Sequence, residues 1–464
     1  MTAMPTHGDD PALARAAKLA AMAQALLVLA GLRHHLVWGG SLHALFAAFE
    51  TACLLGFAWL GGLAWWRGMA RVRVASPGPA RLLRLSLPAL AVAVLVPSFL
   101  SADVVDYVLR GRVLALHHAN PYLQVAADFP ADPMLGFGDA GWKAFPLPYG
   151  PVVAEVQGAV AWLAHQLPGL SPRAELIAAV LLFKLLFAGG LLLAAGAVRD
   201  IAALLRPGQQ DVAYVAVLWS PLLLNECVAQ AHNEALMLVP LLLAVRWLLA
   251  ARIAAGTLAL GVAVLAKLVP AAIGPLWLVW CLRQRRLAAF GLGAVAVLLL
   301  TAGLALQFFR DPAALAFLDR QSAVTGASFV WAASSLGLVE LTTAQALGRA
   351  AVLLAAAIAA VRLWRRPQPI VMVQGAAVTL AVAACSLGIF GPWYHVWWAP
   401  LALACGERDF LARFARAVTW TAPLGYVVYT ASRHLVAPHQ VTMLGMAIVV
   451  PFGFALVRPE RLDP

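Results

Sequence analysis

Charge is scarce in this chain. Asp, Glu, Lys and Arg make up 12% of its 464 residues, against a hydrophobic share of 63%. A soluble domain carries about 25% charged residues, so an ordinary water-soluble enzyme is excluded. Cysteine is sparse as well: Cys53, Cys227, Cys281, Cys385 and Cys405 are scattered, mostly inside apolar runs. No CxxC or paired-histidine spacing points to zinc or a disulfide framework, and they read as packing residues. Polar breaks between apolar segments are few, so one membrane domain over 1–464 replaces the roughly three soluble domains that the length would otherwise suggest. No period of about 20–50 residues and no inverted half-to-half symmetry stands out, which weighs against a transporter built from repeats.

Apolar stretches are what the chain does have. They run near 19–37, 42–66, 85–101, 175–198, 210–225, 234–251, 288–308, 347–363, 370–389 and 439–457, with shorter ones at 254–269, 270–282, 394–406 and 416–432. Stretches of this kind match a hydrocarbon core of about 30 Å, and the pattern predicts an all-α polytopic membrane protein with about 13–14 transmembrane helices. The 36 glycines and 29 prolines fit membrane helices, where neighbouring helices satisfy freed backbone groups. The formal charge of +12 does not signal nucleic-acid binding, because the arginines sit at the ends of apolar runs and form no stripe.

Those ends set an orientation. Arg67, Arg71, Arg73, Arg81 and Arg84 crowd the second connection, which is therefore expected on the cytoplasmic side. Alternation from there puts most of the 33 basic residues inside, with both termini cytoplasmic, provided that 151–169 lies in the outer interface and does not cross. Asp9, Asp10, Arg15 and Lys18 precede the first apolar run without a convincing A-x-A site, so a retained first helix is expected, not a cleaved signal. Two outer segments are too long for turns: 101–170, with its interfacial part, and 309–346. Long loops in compact proteins are usually functional.

The first of these loops carries the chemistry. It reads Ser101-Ala-Asp103-Val-Val-Asp106-Tyr107, then Arg110-Gly-Arg112, Asn120-Pro121-Tyr122, and Pro148-Tyr149-Gly150-Pro151. Asp103 and Asp106 are three apart and share a face if a helix continues. A carboxylate at the membrane–water boundary can take a proton from a hydroxyl nucleophile, and arginines suit an anionic phosphate. The same residues also fit a capping aspartate on a solvated charged face.

Read together, Asp-x-x-x-Tyr, Gly-Arg, Asn-Pro-Tyr and Tyr-x-Pro resemble the first outer loop of GT-C glycosyltransferases, and specifically of bacterial polyprenol-phosphate-mannose-dependent mannosyltransferases. Three further segments agree in order. Pro221-Leu-Leu-Leu-Asn225-Glu226 with Ala231-His232-Asn233-Glu234-Ala-Leu-Met237 is similar to that family's NPL…E…GHNDALM stretch. Ala266-Lys267-Leu268-Val-Pro270 is similar to its K-L-x-P element, and Pro392-Trp393-Tyr394-His395-Val-Trp397 to its PWY-x-x-W element. The chain departs from the family at Ala102-Asp103, where an acidic pair is frequent, at Glu234 in place of Asp, and at Gly150 in place of Pro.

The resemblance implies a GT-C fold with a long first extracytoplasmic loop. It also implies an inverting transfer of a sugar, foremost mannose, from a polyprenyl-phosphate donor to a hydroxyl of a lipid or glycan acceptor. Asp103 would be the base and Asp106 a second, orienting carboxylate. Donor phosphate and substrate would meet Arg110, Arg112, Tyr149, His232, Asn233, Glu234, Lys267, Trp393, Tyr394 and His395. No metal or other cofactor is expected, though an Asp-x-x-Asp pair has the spacing for a divalent ion. A bacterial inner membrane, with the site facing outward, is the expected location. The competing class is a membrane transporter or lipid flippase, for which intramembrane Glu50, Lys184 and Lys267 would line a path. Each of the singled-out residues also has a plainer use: Lys267 could snorkel, Asn233 and Glu234 could cap a helix, and Trp393 and Tyr394 could be belt aromatics.

Overall fold

The computed structural model describes residues 10–36, 43–319, 324–326, 328–406, 409–432 and 445–456. The stretch expected at 439–457 and the basic pair Arg458 and Arg461 thus lie partly or wholly outside the described residues, as do 320–323 of the second loop. Among the described residues every regular element is a helix, and the one β-type pairing is an isolated bridge between Gly326 and Ile389. It is an all-α polytopic membrane protein.

Helices α1 (Pro11–Leu36) and α2 (His43–Ala75) form an antiparallel pair, and α3 (Pro79–Leu95) returns beside them. Local chemistry sets the starts. The Asp10 carboxylate accepts from the Ala12 amide at 2.8 Å, and proline opens α1 and α3, where a missing N–H costs nothing. Helix α4 (Asp103–Ala115) follows, with Asp103 and Asp106 in its first turn, where the helix dipole favours negative charge. Irregular chain then leads to α5 (Pro151–His165) and to the long α6 (Pro172–Leu205). At 15 residues α5 is shorter than the about 20 needed to cross hydrocarbon. It packs on α4 at close range because Gly111 has no side chain: a Cβ there would stand 2.1 Å from the Gln157 carbonyl oxygen.

Five described helices are individually long and apolar enough to span: Pro11–Leu32, Ala48–Ala75, Pro172–Leu205, Leu287–Phe308 and Leu341–Arg365. Shorter apolar helices include Ile253–Ala266 and Pro369–Cys385, and the stretch 416–432 lies within the longer helix Phe410–Ser432. One more span is broken. Helix α7 (Gln210–Leu218) bends by 41° at Ser220-Pro221 into a short α8 (Pro221–Leu223), which runs directly into a π-helical turn, Leu224–Ala229. Proline ends the first piece, and the Ser220 hydroxyl caps the second by accepting from the Leu223 amide. Ala231, at φ 57°, then turns the chain through the left-handed region into α9 (Glu234–Leu249). Helix α10 (Ile253–Ala266) comes back beside α9 and stops at Lys267.

The outward faces are what a lipid solvent asks for. The span Leu287–Phe308 is only 11% buried, and Leu292, Leu298 and Leu299 point outward from it. In water such a surface would drive aggregation; against acyl chains it carries no penalty.

Candidate active site

Segments distant in the chain meet at one end of the bundle. Asp103, Asp106 and Arg110 of α4, Trp142 and Tyr149 of the loop, Glu234 of α9, Lys267 after α10, and Trp393 and Tyr394 line a single cavity of about 310 Å³. The cavity continues into an apolar groove of about 520 Å³, walled by residues such as Leu265, Leu304, Phe309 and Phe317. Pro148, Tyr149, Lys267, Val324, Ile389 and Tyr394 border both spaces.

A polar seam holds the floor. Lys184, fully buried in α6, donates to the Val96 carbonyl and, at 2.5 Å, to that of Ala229. The Ser98 hydroxyl donates to the same Ala229 oxygen, and the Gln230 side-chain oxygen accepts from the amides of Phe99 and Leu100. An ammonium deep in a membrane domain needs such partners. Here it clasps the end of α3 to the end of the broken span. That clasp sets Asp103, three residues beyond Leu100, against His232, two residues beyond Gln230.

The two aspartates occupy opposite electrostatic settings. Asp103 accepts from the Tyr107 hydroxyl at 3.3 Å and lies 3.4 Å from His232 Nδ1. Burial pushes its carboxyl up, but His232, Ser101 and the Arg110 charge outweigh that and hold it down at about 2. Asp106 is pushed up to about 7, first by burial and then by the neighbouring Asp103 and Asp139, against the pull of Arg110. Near neutrality the first is a carboxylate, while the second is poised between acid and carboxylate. Environments that drive two acids apart in this way suit one to accept a proton and the other to donate a hydrogen bond.

The cations divide as well. Positions 103, 106 and 110 are i, i+3 and i+7 on one face of α4, whereas 112 is two residues on and faces away. Arg110 lies on the pocket side, its Nη2 3.4 Å from the Trp142 carbonyl and its guanidinium over the Trp142 ring. Arg112 is committed elsewhere. It holds Asp132 through Nε at 2.9 Å and Glu175 through Nη1 at 2.5 Å, and His117 completes the cluster on Asp132 at 2.7 Å. The arginine pair of the sequence thus separates into one pocket residue and one clamp of loop to α6. On the far wall Lys267 is ion-paired with Glu234 and stands 5.0 Å over the Tyr149 ring. Gly150 makes that approach possible: its amide donates to the Ala266 carbonyl at 3.0 Å, and a Cβ would stand 2.1 Å from the Leu265 oxygen.

Behind the pocket, His232 is wholly buried and stacked on Trp393, centroids 4.4 Å apart. It does not reach the cavity wall. Asn233 occupies the N-cap position of α9, yet its side chain makes no capping bond; its amide donates to the Tyr107 hydroxyl at 3.3 Å. His395 is also buried, among the rings of Phe390, Trp398 and Phe414. The motifs include Glu226 without giving it a role and do not reach Tyr426; Glu226 is fully buried 3.3 Å from His232 Nε2, and the Tyr426 hydroxyl donates to it at 3.1 Å. An acid inside an apolar run just after Asn225 was a usable signal for the first. Nothing local marks the second. Among the described residues no three His, Cys, Asp or Glu side chains are arranged to hold a metal ion.

Fold and site together define an integral membrane protein with an acid–base pocket at one end of its bundle, open to an apolar groove. Residues 13–284 match the family model described as alpha-(1->6)-mannopyranosyltransferase, N-terminal domain, and the chain belongs to that family. The matched range holds Asp103, His232, Glu234 and Lys267 and ends before Trp393. It agrees with the GT-C mannosyltransferase resemblance of the motifs and supports a glycosyltransferase. No curated protein matches the chain.

Proposed function

We propose that this protein moves a mannosyl group from a polyprenyl-phosphate donor to a hydroxyl of a glycan or lipid acceptor, with inversion. The observation that carries the reading is the junction of two unlike spaces: a charged cavity and an apolar groove share Lys267 and Tyr149. A ligand with an anionic head and a hydrocarbon tail suits such a junction, with its phosphate at Lys267 and Arg110 and its tail in the groove.

In the proposed step the acceptor oxygen attacks the anomeric carbon while the bond from that carbon to the phosphate oxygen breaks. The bonding pair leaves with the phosphate, and the hydroxyl proton passes to Asp103. A carboxylate held at about 2 is a weak base, but the attacking hydroxyl becomes strongly acidic as its bond to carbon forms, so an ionised, well-placed acceptor suffices. Lys267 and Arg110 stabilise charge on the leaving phosphate. Glu234 holds the Lys267 ammonium until the phosphate competes for it. Protonated Asp106 donates to the acceptor and orients it. The pocket would face outward from a bacterial inner membrane, opposite the arginine-rich ends.

The test pairs purified protein in detergent with polyprenyl-phosphate-linked radiolabelled mannose. A new glycosidic bond formed by the wild type and lost in Asp103→Asn is expected. Movement of label across sealed vesicles without a new bond would overturn the reading in favour of a transporter or flippase.

A further inference from the structure

The pocket explains Asp103 from the front; it leaves unexplained what stands behind it. There a line of four side chains runs inward from three separate elements: Asp103 Oδ2, 3.4 Å from His232 Nδ1; His232 Nε2, 3.3 Å from Glu226 Oε2; and Tyr426, whose hydroxyl donates to the same Glu226 oxygen at 3.1 Å. Asn225 donates to the other Glu226 oxygen at 3.0 Å. His232 and Glu226 are both wholly inaccessible, so neither can touch a substrate. An acid so enclosed is costly unless something close by compensates it.

We propose that Glu226 is a positioning residue for Asp103, acting through His232, which it holds as a cation directly behind the base. This rests on the reading of Asp103 as the proton acceptor. Neither ring nitrogen makes a well-aligned hydrogen bond, so a doubly protonated imidazole between the two acids is held there by charge. Its plane is set by the Trp393 ring on its face. Held so, it places positive charge beside the Asp103 oxygen that also accepts from Tyr107, leaving the other oxygen for the acceptor hydroxyl. The π-helical turn at Leu224–Ala229 and the left-handed Ala231 bring the acid and the imidazole of one short segment to face one another. Both are local irregularities of the kind that gather at functional sites.

The surrounding charges favour the cation. His232 feels Asp103 from α4, Glu226 from the π turn and Glu234 from α9, while the Tyr107 hydroxyl is bound to Asp103 and the Tyr426 hydroxyl, from the helix Phe410–Ser432, to Glu226. Arg110 and Lys267 lie on the pocket side, and Lys184 is bound to the Ala229 carbonyl below. The carboxylates raise the histidine above its ordinary value in spite of burial.

Two measurements test this. The first is the pH profile of kcat. His232→Gln is expected to lower kcat at least tenfold and to move the acid limb up by about one to three pH units, as Asp103 loses an adjacent cation. Glu226→Gln, nearly the same shape, is expected to move the limb the same way by less. A fall in kcat with the limb unmoved would make the group merely structural and overturn the proposal. The second needs no turnover: titration of ¹⁵N-histidine signals in the detergent-purified protein. His232 is expected to stay doubly protonated to a higher pH than free imidazole and to lose that shift in Glu226→Gln. An ordinary titration, or one indifferent to Glu226, overturns the proposal, even if mannose proves the wrong sugar and no turnover is seen.

Discussion

Helix α4 carries two charge clusters, and they are built differently. The inner one, Arg112 with Asp132, Glu175 and His117, is closed: the guanidinium contacts two carboxylates, and the Asp132 carboxyl is held below its usual value, its burial outweighed by hydrogen bonds from Arg112, Met134 and His117. The outer one, Asp103, Asp106 and Arg110, is left open. An Asp106 oxygen and the Arg110 Nε are buried without a protein partner, and the three residues line a cavity. Closed clusters fix a loop, whereas open ones keep donors and acceptors for something else. One short helix does both because its two faces look at different surroundings.

This contrast can be broken by substitution. The largest effect is expected from Asp103→Asn, which keeps the shape but removes the proton acceptor: kcat should fall by about 10⁴-fold, at the upper end for acid–base residues, with the fold intact by circular dichroism. Arg112→Met should behave in the opposite manner. It strands Asp132 and Glu175 and should lower stability by about 3 kcal/mol, seen as earlier thermal unfolding in detergent, because an uncompensated buried charge is left behind. Arg110→Met should cost about 10²-fold in kcat/KM for the phosphate donor with little change in melting. If Arg110→Met and Arg112→Met proved alike in both assays, the distinction between the two faces would fall.

The smallest effect sharpens the outer cluster itself. Asp106 is protonated below about 7 and ionised above it, so a hydrogen-bond-donating role predicts activity that declines as pH rises through that value. Asp106→Asn keeps a donor that does not titrate. Its activity should drop only a few-fold, and the alkaline limb should flatten. A limb unchanged in the variant would assign it to another group.

Much of this was legible from composition and order. Low charge and apolar runs required a membrane protein of helices. The motif residues Asp103, Tyr149, Glu234, Lys267 and Trp393 do come together, although 290 positions separate the first from the last. Side-chain direction was less legible. Arg110 and Arg112 look equivalent as letters, yet residues two apart on a helix cannot share a face. His395 sits inside a good motif but points into a ring cluster, and His232 supports the site from behind without lining it.

By itself, then, the sequence determined the solvent of this protein, its helical class, its family and the chemistry-bearing segments, because hydrophobicity, charge and short motifs are local properties. Tertiary structure alone decided how the two aspartates differ in surroundings, which arginine lines the pocket, and that Glu226 and Tyr426 stand behind Asp103. Those outcomes depend on burial and on distances between groups far apart in the chain, and on how a π turn, a left-handed alanine and a bare glycine bring them together.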